Sequence, residues 1–158
     1  MAITQQIAKH FREAYDGGNW TGSNLKDAVN GVSWEQAVQK ADGLNSIAAL
    51  VFHINYYVDI IIKVLERKPL EGHDKYSFNL PPLQSSNDWE DLLNKAWANA
   101  EKFVKLVEQL PDEKLSDTFA VEKYGNYYRN LEGVIQHTHY HLGQIVVIKK
   151  LILQGKGY

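Results

Sequence analysis

Two histidines four residues apart, His137 and His141, and a third far upstream, His53, are the residues whose types and spacing best suit chemistry. On a helix, side chains at i and i+4 stand about 5–6 Å apart. Two imidazoles can close that span onto one ion through bonds of about 2.1 Å, while a third arrives from a facing helix. Three neutral nitrogen ligands leave coordination positions open, as in catalytic rather than structural sites, and an open position can bind a substrate atom or lower the pKa of bound water to about 7. Imidazole suits zinc, nickel, copper or iron. The expectation is one divalent ion, zinc or nickel, on His53, His137 and His141.

A lone His-x-x-x-His pair is weak evidence, because six histidines in 158 residues produce about 0.2 such pairs by chance. The surrounding pattern sharpens it. At about 100° per residue, one stripe of the last helical segment reads Val134, His137, Thr138, His141, Ile145, Ile148 and Ile152. His53 lies on the stripe of Ala49, Leu50, Tyr57, Ile60 and Val64. Buried imidazoles cost free energy unless their nitrogens find partners. A shared metal supplies one, and three separately satisfied core histidines are the alternative.

The remaining candidates carry less. His139 lies about 200° around the helix from His137 and is expected to face away, on the surface or in an interface. His10 and His73 read as solvated, although a mobile loop could carry His73 over the site. Gln144 could orient a ligand or simply pack. Gly133 and Gly143, at about 1 kcal/mol each inside a helix, suggest close helix approach or space beside the metal. Tyr56 and Tyr57 offer either a phenol to the site or core aromatics. No general acid, general base or nucleophile is assignable, and there is no phosphate loop, nucleophile elbow, dinucleotide fingerprint or His-Glu-x-x-His motif.

Four long helices are needed to hold these residues. The first spans residues 4–15, with Ile7, Phe11, Ala14 and Tyr15 on one stripe and Asp16-Gly17-Gly18 as its stop. A single turn follows at 24–29. Ser33-Trp34-Glu35-Gln36 then reads as a capping box opening a short helix to about Ala41. The second long helix is expected at 46–67, ended by Pro69. Residues 68–87, with three prolines, form a long loop of the kind that is usually functional or disordered. Asp88 is expected to cap a third helix, 88–110, and the fourth begins at Asn126 or Asn130 and runs to Gln154, stopping at Gly155. Only 118–121 hints at a strand. The fold class is all-α: a four-helix bundle with long inter-helix loops, one domain over 1–158.

Composition narrows the function. There is no cysteine, which excludes disulfides, thiol nucleophiles and thiolate metal ligands, and a soluble cytoplasmic protein is the expectation. A net charge of -2 leaves no electrostatic footprint for nucleic acid or anionic lipid. The longest unbroken apolar run, 47–52, is far short of the roughly 20 residues of a membrane span. Val51, Ile54, Val146, Val147 and Leu151 lie off the buried stripes, and helices apolar on more than one side need further cover. A two-fold homodimer is the expected cover, with the loops folding back as the alternative.

The string Gln136-His137-Thr138-His139-Tyr140-His141-Leu142-Gly143-Gln144-Ile145 resembles the signature of the DinB-like superfamily, in which His-x-x-x-His followed by x-Gly-Gln lies on the last long helix. Trp20-Thr21-Gly22-Ser23-Asn24-Leu25 and Val32-Ser33-Trp34-Glu35-Gln36-Ala37 are similar to the family's opening segment. Ser46-Ile47-Ala48-Ala49-Leu50-Val51-Phe52-His53-Ile54 resembles the stretch that delivers the third histidine. The resemblance implies a DinB-type four-helix bundle, commonly a homodimer, with a divalent metal on His53, His137 and His141. It implies small-molecule chemistry of several kinds: transfer involving a low-molecular-weight thiol, maleylpyruvate isomerisation or hydrolysis. Tyr56 and Tyr57 stand where family members often carry Trp. Three functions stay open: a thiol-dependent S-transferase acting on small electrophiles, a metal-dependent hydrolase using activated water, and a non-catalytic metal-binding domain.

Overall fold

The chain is all-α in the computed structural model, which describes residues 1–41 and 43–154. Four long helices, α1 (Ile3–Asp16), α4 (Ile47–Leu65), α5 (Ser86–Glu108) and α6 (Tyr127–Gln154), are joined by two short ones, α2 (Leu25–Val29) and α3 (Trp34–Val38). Among the described residues the extended segment at 118 makes only an isolated antiparallel bridge, Thr118 with Asn126. The expected stop at Gly155 lies outside the described residues.

Local chemistry explains most boundaries. Ser33 and Gln36 form the expected capping box, with Gln36 N donating to Ser33 Oγ at 3.3 Å and Ser33 N to Gln36 Oε1 at 3.0 Å. The helix it opens ends at Val38, short of Ala41. Asn24 caps α2, and Asn126 accepts from Arg129 N at 2.9 Å to open α6. The N-terminus of α1 is served from far along the chain: the Asp112 carboxylate accepts from the backbone of Ile3 and Thr4 and from the Thr4 hydroxyl. At the end of α4, Arg67 takes φ 62°, Arg67 N bonds Val64 O and Lys68 N bonds Lys63 O, which is a Schellman ending. That motif, two residues ahead of Pro69, closes the helix at Leu65 rather than at 67.

One cap differs from expectation. Ser85, not Asp88, is the N-cap of α5: its Oγ accepts from Asp88 N at 3.2 Å, while Asp88 Oδ2 accepts from Gln84 N at 2.7 Å. Asp88 occupies the third helical position, where a carboxylate also favours the helix dipole.

Helix α4 packs against α5 and α6, and α1 packs against the same two. Between α1 and α5 the rings of Phe11 and Phe103 lie 4.0 Å apart, both fully buried. By length and a mean hydropathy of 1.6, α4 could cross a membrane, yet 61% of that stretch is buried inside the fold, as in a core helix. Its interior includes His53 and Asn55, the latter bonded to Asn99 at 3.0 Å. Val51 and Ile54, expected to need outside cover, are buried by the chain itself, and α3 joins α5 and α6 in packing against α4. Val147 and Leu151 on α6 remain exposed.

The start of α4 sets where His53 sits, and Ser46 secures that start by accepting from Ala49 N at 3.2 Å. Ser46→Ala is expected to cost about 1 kcal/mol. Urea unfolding measures it; an unchanged midpoint would mean that the cap contributes nothing.

Candidate metal centre

His53 comes from α4, and His137 and His141 come from successive turns of α6, so the contact between these two helices brings the three rings together. His137 Nε2 lies 3.0 Å from His53 Nε2 and 3.1 Å from His141 Nε2. Two nitrogens each about 2.1 Å from one ion stand about 3.0 Å apart at a right angle and about 3.4 Å apart at the tetrahedral angle. The three side chains could hold a metal ion, and no other such group of His, Asp and Glu occurs among the described residues.

Hydrogen bonds on the far side of two rings select their tautomers. His53 Nδ1 lies 3.3 Å from the Ser77 carbonyl oxygen, which can only accept, so Nδ1 carries the proton and Nε2 keeps its lone pair. His141 Nδ1 makes the same arrangement with Gln144 Oε1 at 2.8 Å. Gln144 therefore orients a histidine. The third ring, His137, has a buried Nδ1 with no partner among the described residues. Two lone pairs are aimed at the Nε2 of a ring that can donate a single proton, so hydrogen bonding within the cluster cannot satisfy all three nitrogens. A cation bound by three lone pairs resolves that deficit, and the donor set fits one.

Burial and neighbouring imidazoles oppose protonation of His53 and His137. Burial, followed by the neighbouring His141 and His53, pushes the His137 imidazole down to about 4. Burial and His141 also lower His53, against a smaller opposing pull from the Ser77 carbonyl and Asp74. An unfolded histidine titrates near 6.5, so below that pH the unfolded chain takes up a proton that folded His137 resists. The metal-free protein is therefore expected to hold this contribution in full above pH 6.5 and to lose it as pH falls toward 4. Urea midpoints from pH 7 to 5, above most carboxylate titration, should fall more steeply for the wild type than for His137→Ala. Equal slopes would mean that His137 is not held neutral by the fold.

The loop between α4 and α5 lies over this cluster. Phe78 stacks on His53 with ring centroids 3.9 Å apart and an interplanar angle of 12°, and the preceding carbonyl, Ser77, bonds the same ring. The Tyr56 hydroxyl accepts from His73 N and donates to His73 O, both at 2.9 Å, pinning the loop to α4. Tyr57 sets its ring edge-on to His53 and His137 at 5.1 and 4.8 Å and donates its hydroxyl to Asp74. Ser77, Phe78 and Asp74 were not singled out from spacing, because a proline-interrupted loop carries no period from which contacts can be read. Its aperiodic length was the only signal.

The other candidates fall outside the cluster. His10 and His73 are exposed, His139 is half-buried apart from the three rings, and the Tyr56 hydroxyl is engaged with backbone. At Gly133 and Gly143 an added Cβ would meet nothing within 4 Å, so neither marks a close helix approach. Gly143 instead lines an open cleft of about 440 Å³ with Leu44, Tyr140, Gln144 and Val147.

A family model described as the DinB superfamily matches residues 19–145, most of the chain and all three histidines. No curated protein and no solved structure matches it significantly.

Proposed function

The chain belongs to the DinB superfamily, and on that premise we propose that it is a metal-dependent enzyme of small-molecule chemistry, a thiol-dependent S-transferase acting on electrophilic substrates, with one divalent ion, zinc or nickel, held by His53, His137 and His141. The observation that carries this reading is the convergence of three imidazole Nε2 atoms, two with their Nδ1 protons already committed to Ser77 and Gln144. A bound ion would supply Lewis acidity, favouring the thiolate of a low-molecular-weight thiol at neutral pH. The protein's own part is to hold three lone pairs ready, fix two ring orientations and shield one flank with Phe78 and the pinned loop. A cytoplasmic setting, where small thiols are kept reduced, suits a chain without cysteine.

Metal-dependent hydrolysis is the second reading, favoured by the pair of Tyr57 and Asp74, whose phenol ring packs edge-on against His53 and His137 and carries a carboxylate behind it. Turnover of a panel of small electrophiles and esters by zinc- or nickel-loaded protein, with and without glutathione, bacillithiol or mycothiol, separates the two. Thiol-dependent turnover supports the transferase, thiol-independent turnover selects the hydrolase, and inertness throughout rejects both in favour of a non-catalytic metal-binding domain.

We read the four long helices as a DinB-type four-helix bundle, supported by α1 and α4 each meeting both α5 and α6. A homodimer is supported by Tyr140, Val147 and Leu151, exposed apolar residues on one side of α6. Light scattering at micromolar protein tests it, and a monomer mass near 18.0 kDa would reject it.

A further inference from the structure

Tyr57 separates the imidazole cluster from a second cleft. One side of its ring meets His53 and His137, and the same residue lines a cleft of about 320 Å³ between α4, the following loop and the 119–130 segment. The walls include Tyr57, Ile60, Leu70, Phe119 and Tyr124, and Asp74 is the only carboxylate among the lining residues, which include no Lys or Arg. Asp74 Oδ1 takes the Tyr57 hydroxyl, and the residue is exposed, which leaves Oδ2 accessible to a ligand. Tyr56 pins the cleft's loop wall by bonding both the N–H and the carbonyl of His73, and the loop passes close enough to α4 for a Cβ at Gly72 to meet the Ile60 side chain.

That volume lies at the small end of ligand pockets, which run from about 300 to 1,000 Å³. It admits a ring with a short chain rather than a peptide. Apolar aromatic walls with a single carboxylate select an apolar body carrying a positive hydrogen-bond donor. The cleft beside Gln144 has no charged lining residue, and it meets the cluster through that amide and through Tyr140, whose ring lies 4.9 Å from that of His141.

We propose that the cleft walled by Tyr57 and Asp74 binds a small aromatic molecule bearing a cationic amine. The amine pairs with Asp74, the ring packs on Ile60, Leu70 and Phe119, and Tyr57 is the wall that the bound molecule shares with the three histidines. Only through that wall does the cleft bear on the function proposed above, and its ligand chemistry stands without that function.

Titration of the metal-free full-length protein with 2-phenylethylamine and with 3-phenylpropionate, followed by amide NMR shifts, tests the ligand chemistry. The amine is expected to bind saturably, with shifts at Gly72, Asp74 and Asn130, at least tenfold tighter than the acid. Asp74→Asn keeps an oxygen for the Tyr57 hydroxyl and is expected to weaken the amine at least tenfold without changing helix content. Equal binding of the two probes, an unaffected Asp74→Asn variant, or no saturable binding of the amine would each overturn the proposal. Amine binding by a chain that takes up no metal would sustain the cleft's chemistry and defeat the metal-dependent function. Metal uptake and turnover without amine binding would defeat the cleft alone.

Discussion

Replacing His137 by alanine is expected to reduce bound metal from about one ion per chain to below about a tenth, while leaving the fold in place. His137 Nε2 is the middle atom of the three, 3.0 Å from His53 Nε2 and 3.1 Å from His141 Nε2, so its loss leaves one imidazole on each of two helices. The same substitution removes a buried Nδ1 that has no partner among the described residues, so the metal-free variant should be no less stable than the metal-free wild type. Stability adds a second readout. An ion present at 100 times its dissociation constant stabilises the wild type by about 2.7 kcal/mol through mass action. It should add nothing to the variant. Elemental analysis of untagged protein and urea unfolding with and without zinc measure both effects, and full metal retention in His137→Ala would place any site elsewhere.

Phe103→Ala is expected to have the largest effect on stability, about 3–5 kcal/mol. Phe103 is fully buried on α5, and its ring meets that of Phe11 on α1 at 4.0 Å with a 30° tilt. Truncation removes the transfer free energy of one ring, strands the other beside a cavity and forfeits their direct contact. Against a total of about 5–15 kcal/mol for a domain, this is a large fraction. The urea midpoint should fall sharply with little change in slope. Metal content of the folded protein should persist, because the pair lies between α1 and α5 whereas the ligands sit on α4 and α6. A loss below about 1 kcal/mol would mean that this contact is not a principal core interaction.

What was readable in the sequence was what is local or periodic. Stripes located the long helices and put His53, His137 and His141 on faces that meet, and the capping box at Ser33 announced its own helix. Ser85 and Asp88 were harder because serine and aspartate can each cap, and only the observed bonds show which accepts from the helix. The cap on α1 was invisible, since Asp112 lies 108 residues from Thr4. Burial of Val51 and Ile54 is hidden for a related reason: one helix's pattern does not say how many other elements pack against it. Within the site, the His141 partner Gln144 could be named from helical spacing. The partners of His53 could not, because Ser77 contributes a backbone carbonyl and Phe78 a ring from an aperiodic loop.

Three imidazole Nε2 atoms are proposed to hold one divalent ion, and an anomalous-difference map from crystals of the zinc-loaded, untagged protein, collected at the zinc edge, locates it. One strong peak per chain is expected about 2.1 Å from Nε2 of His53, His137 and His141, with His141 Nδ1 still on Gln144 and His53 Nδ1 still on the Ser77 carbonyl. A map without a peak there, or with the ion on other residues, would contradict that assignment.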